Sequence, residues 1–385
     1  MTSSAASRAG AVRTSWVAVE PHDTVQVRDG RRFDAGTEDT TVAETVRPWP
    51  STIAGALGAV HGGELGAVRG PVLAHKDAGG VWRPYFPTPL DLVTSEERTA
   101  VYRLRPGGPT EGTDLGELPD GPERLLEPAA RLSKPAPVDG WMRAAALSAY
   151  LRGELLSGSG SAPMGRLGLS KQEPLVPERR IGIARQDRGV RSGYLYQAGH
   201  LRPNPGWGFL AEVEQPAGAR ELPPGPLTLG GRGRLAELSD AAPAAADTSA
   251  PRLDWPRPPE EFPEGKVLLY TATPALWPGG WRPPLPEGAR LVAAAVGSPL
   301  PVATASPKRG FWGSRALRWA VPPGSVYLVR LPPDTAAATA AAWHGRALAP
   351  SADWDTESGD EPQPPTDVPR LDTAGFGVVL TGVWT

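Results

Sequence analysis

The sequence predicts an α+β protein of two small units with long loops, on three observations. Alternating apolar segments recur on both sides of one Ala/Pro/Asp-rich stretch, each side carrying a helix or two. Glycine and proline number 46 each in 385 residues, so regular elements are short and connections long. Thirteen tryptophans and 40% hydrophobic residues supply the core that a disordered chain of such composition lacks. The division expected is a first unit over 1–240, a linker or insertion over 241–265 and a second unit over 266–385.

Ser15–Val27 opens as a strand, with WVAVE and then HDTVQV alternating. Asp29-Gly30 then signals a hairpin turn flanked by Arg28, Arg31 and Arg32, which is either a charged tip or an RNA contact. Ser51 or Thr52 caps a helix whose Ile53, Leu57 and Val60 share a face, and Gly62-Gly63 stops it. That helix start could also hold a phosphate. Residues 82–93 (WRPYFPTPLDLV) have too many prolines for a central strand, and Pro106–Pro137 reads as a Pro/Gly/Glu-rich connection. Asp139 caps the main helix of the first half, Gly140–Leu156, with Leu147, Leu151 and Leu155 one turn apart. Ser157–Pro177 is either an arm that orders on a partner or a plain surface loop. A hairpin around Arg188 and Arg191 and a strand at Gly206–Val213 follow. Beyond the linker, Lys266–Thr273, Ala289–Gly297, Leu317–Val321, Ser325–Leu331 and Thr373–Trp384 read as strands. Asp334 caps an alanine-rich helix, Thr335–Ala347, and the acidic stretch 350–369 is a solvated loop.

The absence of cysteine excludes disulfides, thiolate metal sites and cysteine nucleophiles, and fits a reducing, cytoplasmic setting. The N-terminus has no apolar leader, and no run of 18 apolar residues occurs, so no membrane segment is expected. Net charge is −2, but 353–372 alone carries −6 and the remainder +4, a balance suited to gripping a short nucleic-acid segment. Residues 226–238 (PLTLGGRGRLAEL) focus that charge. Glycines at 230, 231 and 233 allow positive φ and close backbone approach, while Arg232 and Arg234 flank the turn. The turn is either a solvated hairpin or a seat for a polyanion.

Read together, RDGRRF (28–33), WPSTIAGAL (49–57), GPVL (70–73) and YFPTPLDLV (85–93) give the chain a family resemblance. RRIGIARQDRGVRSGYLY (179–196), LGGRGRLA (229–236), GGW (279–281), AVPPGSVYLV (320–329) and GFGVVLTGVW (375–384) extend it over nearly the whole chain. The sequence resembles the third-subunit family of the type III-B CRISPR effector, the Cmr complex, within the RAMP superfamily. That resemblance implies tandem ferredoxin-like, RRM-like domains with glycine-rich loops. It also implies a non-catalytic subunit at the foot of the complex, holding the repeat-derived 5′ tag of the crRNA. Its neighbours would be the large polymerase-like subunit and the backbone RAMP subunits, with target RNA met indirectly. The closing glycine loop, Gly375–Gly382, is one residue short of the superfamily pattern and lacks a basic residue, so it is expected to be a structural turn.

Single-stranded RNA is held by arginines and backbone N–H groups on phosphates, with bases stacked on aromatic or guanidinium planes. On that chemistry Arg31, Arg32, Ser51, Thr52, Arg191, Arg232 and Arg234 are placed near the tag. Lys308, Arg309 and Trp312 are the second-unit candidates. No P-loop lysine follows the glycines at 230–233, no serine-triad motif occurs, and no cofactor or metal is expected. The rival reading is a metal-independent CRISPR RNA-processing endoribonuclease using His22. A carbohydrate- or protein-binding module is a third class, suggested by the tryptophans.

Overall fold

The computed structural model describes residues 12–28, 45–62, 65–118, 120–128, 132–156, 160–186, 188–241, 253–304, 316–348, 371 and 373–384. In chain order the first half contributes β1 (Arg13–Pro21), α1 (Pro50–His61), β2 (Val68–Lys76), β3 (Trp82–Pro87), β4 (Trp141–Arg143) and α2 (Ala144–Leu151). A long hairpin follows, β5 (Leu175–Gln186) and β6 (Gly189–Pro203), then β7 (Trp207–Gln215), β8 (Gly225–Thr228) and β9 (Leu235–Asp240). One sheet joins seven of these in the order β8-β9-β1-β7-β2-β3-β4. The second half contributes β10 (Lys266–Thr271), β11 (Arg290–Ala295), β12 (Leu300–Thr304), β13 (Ala316–Ala320), β14 (Val326–Arg330), α3 (Ala336–Trp343), β15 (Arg346–Ala347) and β16 (Val378–Val383). Its main sheet runs β11-β14-β10-β16-β15, and β12 and β13 pair apart.

The strands alternate as period-2 burial requires, and the alternation sorts the core into layers. In β1, Val17 and Val19 pack with Ile53 and Leu57 of α1, while Ala18 points the other way. In β10, Val267 and Leu269 pack with Ala336 and Ala340 of α3, whereas Leu268 and Tyr270 join Ala18, Leu210 and α2 residues Leu147 and Leu151. The two sheets therefore face each other across one shared core that also holds α2, with α1 and α3 on the outer faces. Phe86 before the expected linker, Tyr270 on β10, Leu380 on the last strand and Trp384 just past it are in the same cluster.

Several sequence expectations need correction. Ser51 and Thr52 do not cap α1: its N-cap is Trp49, without a side-chain cap bond, and Pro50 occupies the first turn. Proline fixes φ and removes one N–H that a cap would serve, and it holds the preceding residue extended. Gly62 does end the helix, in the left-handed region at φ 71. The second helix starts at Ala144 rather than Gly140 because Trp141–Arg143 pairs with β3, and Asp139 lies outside it. The third is Ala336–Trp343 with Thr335, not Asp334, at the N-cap and no side-chain bond.

Pro106–Pro137 is not a bare connection: strands Ala100–Pro109 and Arg124–Pro128 pair there, in a sheet with Leu92–Thr94, Ala136–Pro137 and Ser161–Pro163. Partly buried Arg103 and buried Tyr150 anchor it, both bonded to fully buried Asp91 at 2.8 and 2.7 Å. Of the stretch 157–177, read as a partner-ordered arm or a plain surface loop, the described residues 160–177 pack against the fold, with Ala162 and Leu167 buried and Leu175 opening β5. From the linker, Leu253 and Trp255 rest on the shared core, Trp255 lying 4.6 Å from the Trp16 ring. The acidic stretch 350–369 lies outside the described residues.

Candidate nucleic-acid interface

β8 reaches β9 through the glycine turn, and the turn is pinned to the segment that follows β1. Gly230 takes φ 74, and a Cβ there would stand 2.6 Å from the Gln26 carbonyl. Only glycine fits so close an approach. The Gly231 N–H donates to that carbonyl at 2.8 Å, and the Leu229 N–H closes the turn on the Arg234 carbonyl at 2.7 Å. Arg232 at the apex is exposed and itself takes a left-handed backbone, φ 60 and ψ 31. The same segment bridges Val25 to Leu201 of β6, Gln26 to Gly230, and Arg28 to Thr45. Turn, hairpin stem and the approach to α1 thus line one edge.

At the head of this edge three guanidinium groups converge on one carboxylate. Asp23 receives Arg202 at 2.8 Å, Arg234 at 3.1 Å and Arg180 at 3.2 Å. Glu178 joins Arg180 at 2.6 Å and also pairs with Arg202. β5 and β6 supply these side chains through their register, which sets Val176 opposite Arg202 and Glu178 opposite His200 and so brings Glu178, Arg180 and Arg202 to one face. Slight desolvation works against the Asp23 anion, but bonds from Arg180, the Thr24 N–H and Arg202 prevail and hold its carboxyl below the usual range. Bonds from Arg202 and then Arg180 do the same for Glu178. Behind them His200 is buried, its Nδ1 3.0 Å from the Thr24 hydroxyl. Burial, then the charges of Arg180 and Arg234, push the His200 ring down, so it is neutral near pH 7. With Arg232 counted, four arginines face two carboxylates, and the cluster carries a net positive charge.

Arg234, expected at the RNA, is engaged with Asp23, and its Nε is buried without a hydrogen-bond partner. Arg232 follows Gly231 at the exposed apex of the same turn. Ser51 is exposed and Thr52 partly buried in the first turn of α1, where the Thr52 N–H is taken by the Trp49 carbonyl at 2.9 Å. Arg191 lies on β6. Arg31, Arg32, Lys308, Arg309 and Trp312 lie outside the described residues. Asp23, Glu178, Arg180 and Arg202 escaped the sequence reading, although the i, i+2 spacing within ERR and HLR was a signal that they share a strand face.

The histidines are placed individually. His22 is half-exposed, 3.5 Å from Glu237. His61 bonds the Arg220 carbonyl at 2.8 Å, and His75 packs edge-on to Trp207. Among the described residues no group of three or more potential metal ligands occurs, and no helix is long and apolar enough to cross a membrane.

Comparison with known proteins places this geometry in context. A family model described as CRISPR-associated protein (Cas_Cmr3) matches residues 17–384. Among solved structures, the chain is similar to one in the cryo-EM structure of the Type III-B Cmr-beta bound to cognate target RNA and AMPPnP, state 1. That likeness has 16% identity, covers 81% of this chain and 86% of the other, and has a TM-score of 0.43. A second, at 14% identity with the same coverages and a TM-score of 0.41, is to a chain of the Type III-B Cmr-beta bound to cognate target RNA. No curated protein matches.

Proposed function

The chain belongs to the CRISPR-associated Cas_Cmr3 family, which matches it over residues 17–384, and from that premise we propose that it is an RNA-holding, non-catalytic subunit of a type III-B CRISPR effector. Its task in this reading is to hold the repeat-derived 5′ tag of the crRNA beside the large polymerase-like subunit and the backbone subunits. The observation that carries it is the arginine cluster at the glycine turn. Arg180, Arg202 and Arg234 are fixed by Asp23, and Arg232 stands exposed at the apex. Guanidinium groups so fixed lose little side-chain entropy on meeting a phosphate.

The topology supports the reading as well. Both sheets contain the antiparallel core order of a ferredoxin-like unit, β9-β1-β7-β2 in the first half and β16-β10-β14-β11 in the second. Among the described residues the first keeps only the helix between its first two core strands, α1, and the second only the helix before its last, α3. Each half is, in this reading, a ferredoxin-like unit reduced by one helix, with loops in the vacated positions.

The test is to co-express the chain with its neighbouring operon products and a CRISPR array, purify through a tag on this chain and sequence the bound RNA. RNAs sharing a repeat-derived 5′ end within a large assembly are expected, and a clean protein without RNA would overturn the reading. Arg232→Ala is expected to weaken retention roughly 3- to 10-fold and to flatten the salt dependence by about one phosphate contact. Unchanged retention removes the turn from the interface. His22→Ala is expected to leave crRNA processing intact, since the ring faces Glu237 on an open surface, and loss of processing would restore the endoribonuclease reading.

A further inference from the structure

Below the Arg28–Thr45 bridge the chain runs along the mouth of a cavity of about 290 Å3. This is at the lower edge of the size of small-ligand pockets, roughly 300–1,000 Å3. Its walls come from both halves: Trp49, Tyr85, Trp141 and Phe209 from the first, Ala272 and Leu300 from the second. The walls are apolar and aromatic, and one charged group enters them. The Arg47 guanidinium lies 4.7 Å from the centre of the Trp141 ring, a cation–π contact that fixes its plane at the cavity wall. Burial draws its proton affinity down, and the charge of Glu173 does not restore it. A guanidinium held by its ring contact at an otherwise apolar wall is a seat for an anionic group. An aromatic cavity beside it is a seat for a flat heterocycle.

We propose that this cavity is a nucleotide site: a base enters between the aromatic walls and Arg47 takes the attached phosphate. Two sources supply that chemistry, a nucleotide splayed from bound RNA and a free mononucleotide. Position favours the first, because Arg28 and Thr45 connect the cavity to the segment bridged by the glycine turn, and that arm rests on the RNA-holding function proposed above. Splayed single-stranded bases stacked on aromatic or guanidinium planes are the general mode of single-strand recognition.

The experiment has two arms. The purified full chain is titrated with adenosine, guanosine, cytidine and uridine monophosphates, following the fluorescence of its tryptophans, two of which line the cavity. The assembled complex is then loaded with RNAs that carry one abasic site at successive positions, and retention is compared. Either saturable quenching by a mononucleotide or a loss of about tenfold at a single abasic position is expected. Arg47→Ala should abolish either signal, and Arg47→Lys should leave it intermediate, because lysine keeps the charge without the planar stack. Leu300→Trp fills the cavity from the opposite wall and should abolish the signal if Arg47→Ala does not fold. No quenching by any of the four and no discriminating position would overturn the site. Retained RNA with neither signal would leave the RNA-holding function standing while sinking the cavity. Mononucleotide binding by a chain that carries no RNA would do the reverse.

Discussion

His344 shows how one side chain is committed by its neighbours. The Thr381 N–H donates to its Nδ1 at 3.0 Å, so Nε2 carries the proton and donates to the Pro256 carbonyl at 2.8 Å. Burial lowers the affinity of this ring for a second proton, and that proton would have to enter Nδ1 against the Thr381 N–H. The folded value therefore lies below the unfolded one. Above about pH 6.5 both states are neutral and the ring is silent. As pH falls below that point the unfolded chain binds the proton first and stability declines, until the folded ring titrates as well. Melting temperature should fall between about pH 7 and pH 5, and less steeply in His344→Gln; identical profiles would show that this ring is not a source of the acid sensitivity. His200, lowered in the same direction, contributes to the remaining slope. None of this was legible in the sequence, where the five histidines read as scattered. His344 meets Thr381 and Pro256 from 37 and 88 residues away, and Asp23 meets Arg180 and Arg234 from 157 and 211. Residues that carry their own backbone preference were legible: the glycines that turn at 230 and 233 do so with positive φ.

At the scale of elements, the three α-helices among the described residues succeed without side-chain caps, and each end has a different reason. Pro50 supplies the start of α1 and Gly62 its end, both local signals that the sequence displays. β4 sets the start of α2, because Trp141–Arg143 pairs with β3 before the helix can begin, a contact with residues more than fifty positions away. The small sheet holding Ala100–Pro109 was hidden for the same reason: its prolines and glycines speak against a strand, and pairing with three other segments overrides them. Two substitutions separate local from nonlocal control in α1. Gly62→Ala meets no atom within 4 Å, so its cost is backbone strain alone, about 1 kcal/mol by urea denaturation. Ser51→Ala with Thr52→Ala removes no cap and should change stability by less than about 0.5 kcal/mol. A loss of about 1 kcal/mol or more in the double variant would mean that one hydroxyl caps the helix in solution.

The whole molecule behaves as one body in this architecture, although none of the sheets among its described residues pairs strands across residue 265. The shared core draws on both, and hydrogen bonds stitch its rim. The Tyr270 hydroxyl donates to the Pro87 carbonyl at 2.7 Å, the Leu90 N–H to the Gly324 carbonyl at 2.9 Å, and the Val68 N–H to the Thr373 carbonyl at 2.7 Å. The closing glycine loop takes part, as its lack of a basic residue suggested. Gly375 sits at φ 100 with its α-carbon against β2, where a Cβ would stand 2.5 Å from the Gly70 carbonyl and 2.7 Å from that of Val68. Backbone is on both sides of that contact, so neither can yield by a rotamer change. Gly375→Ala should cost about 2 kcal/mol or more, combining strain at φ with overpacking. The form of the loss matters as much as its size. Exposing the inner face of either sheet would place Leu268, Tyr270 or Leu210 in water, so neither half retains a closed core without the other. Calorimetry of the wild-type chain should therefore give a single cooperative transition, which Gly375→Ala moves to lower temperature without splitting. Two resolved transitions in the wild type, with only one displaced by Gly375→Ala, would show that the halves close their cores separately and meet only at the surface.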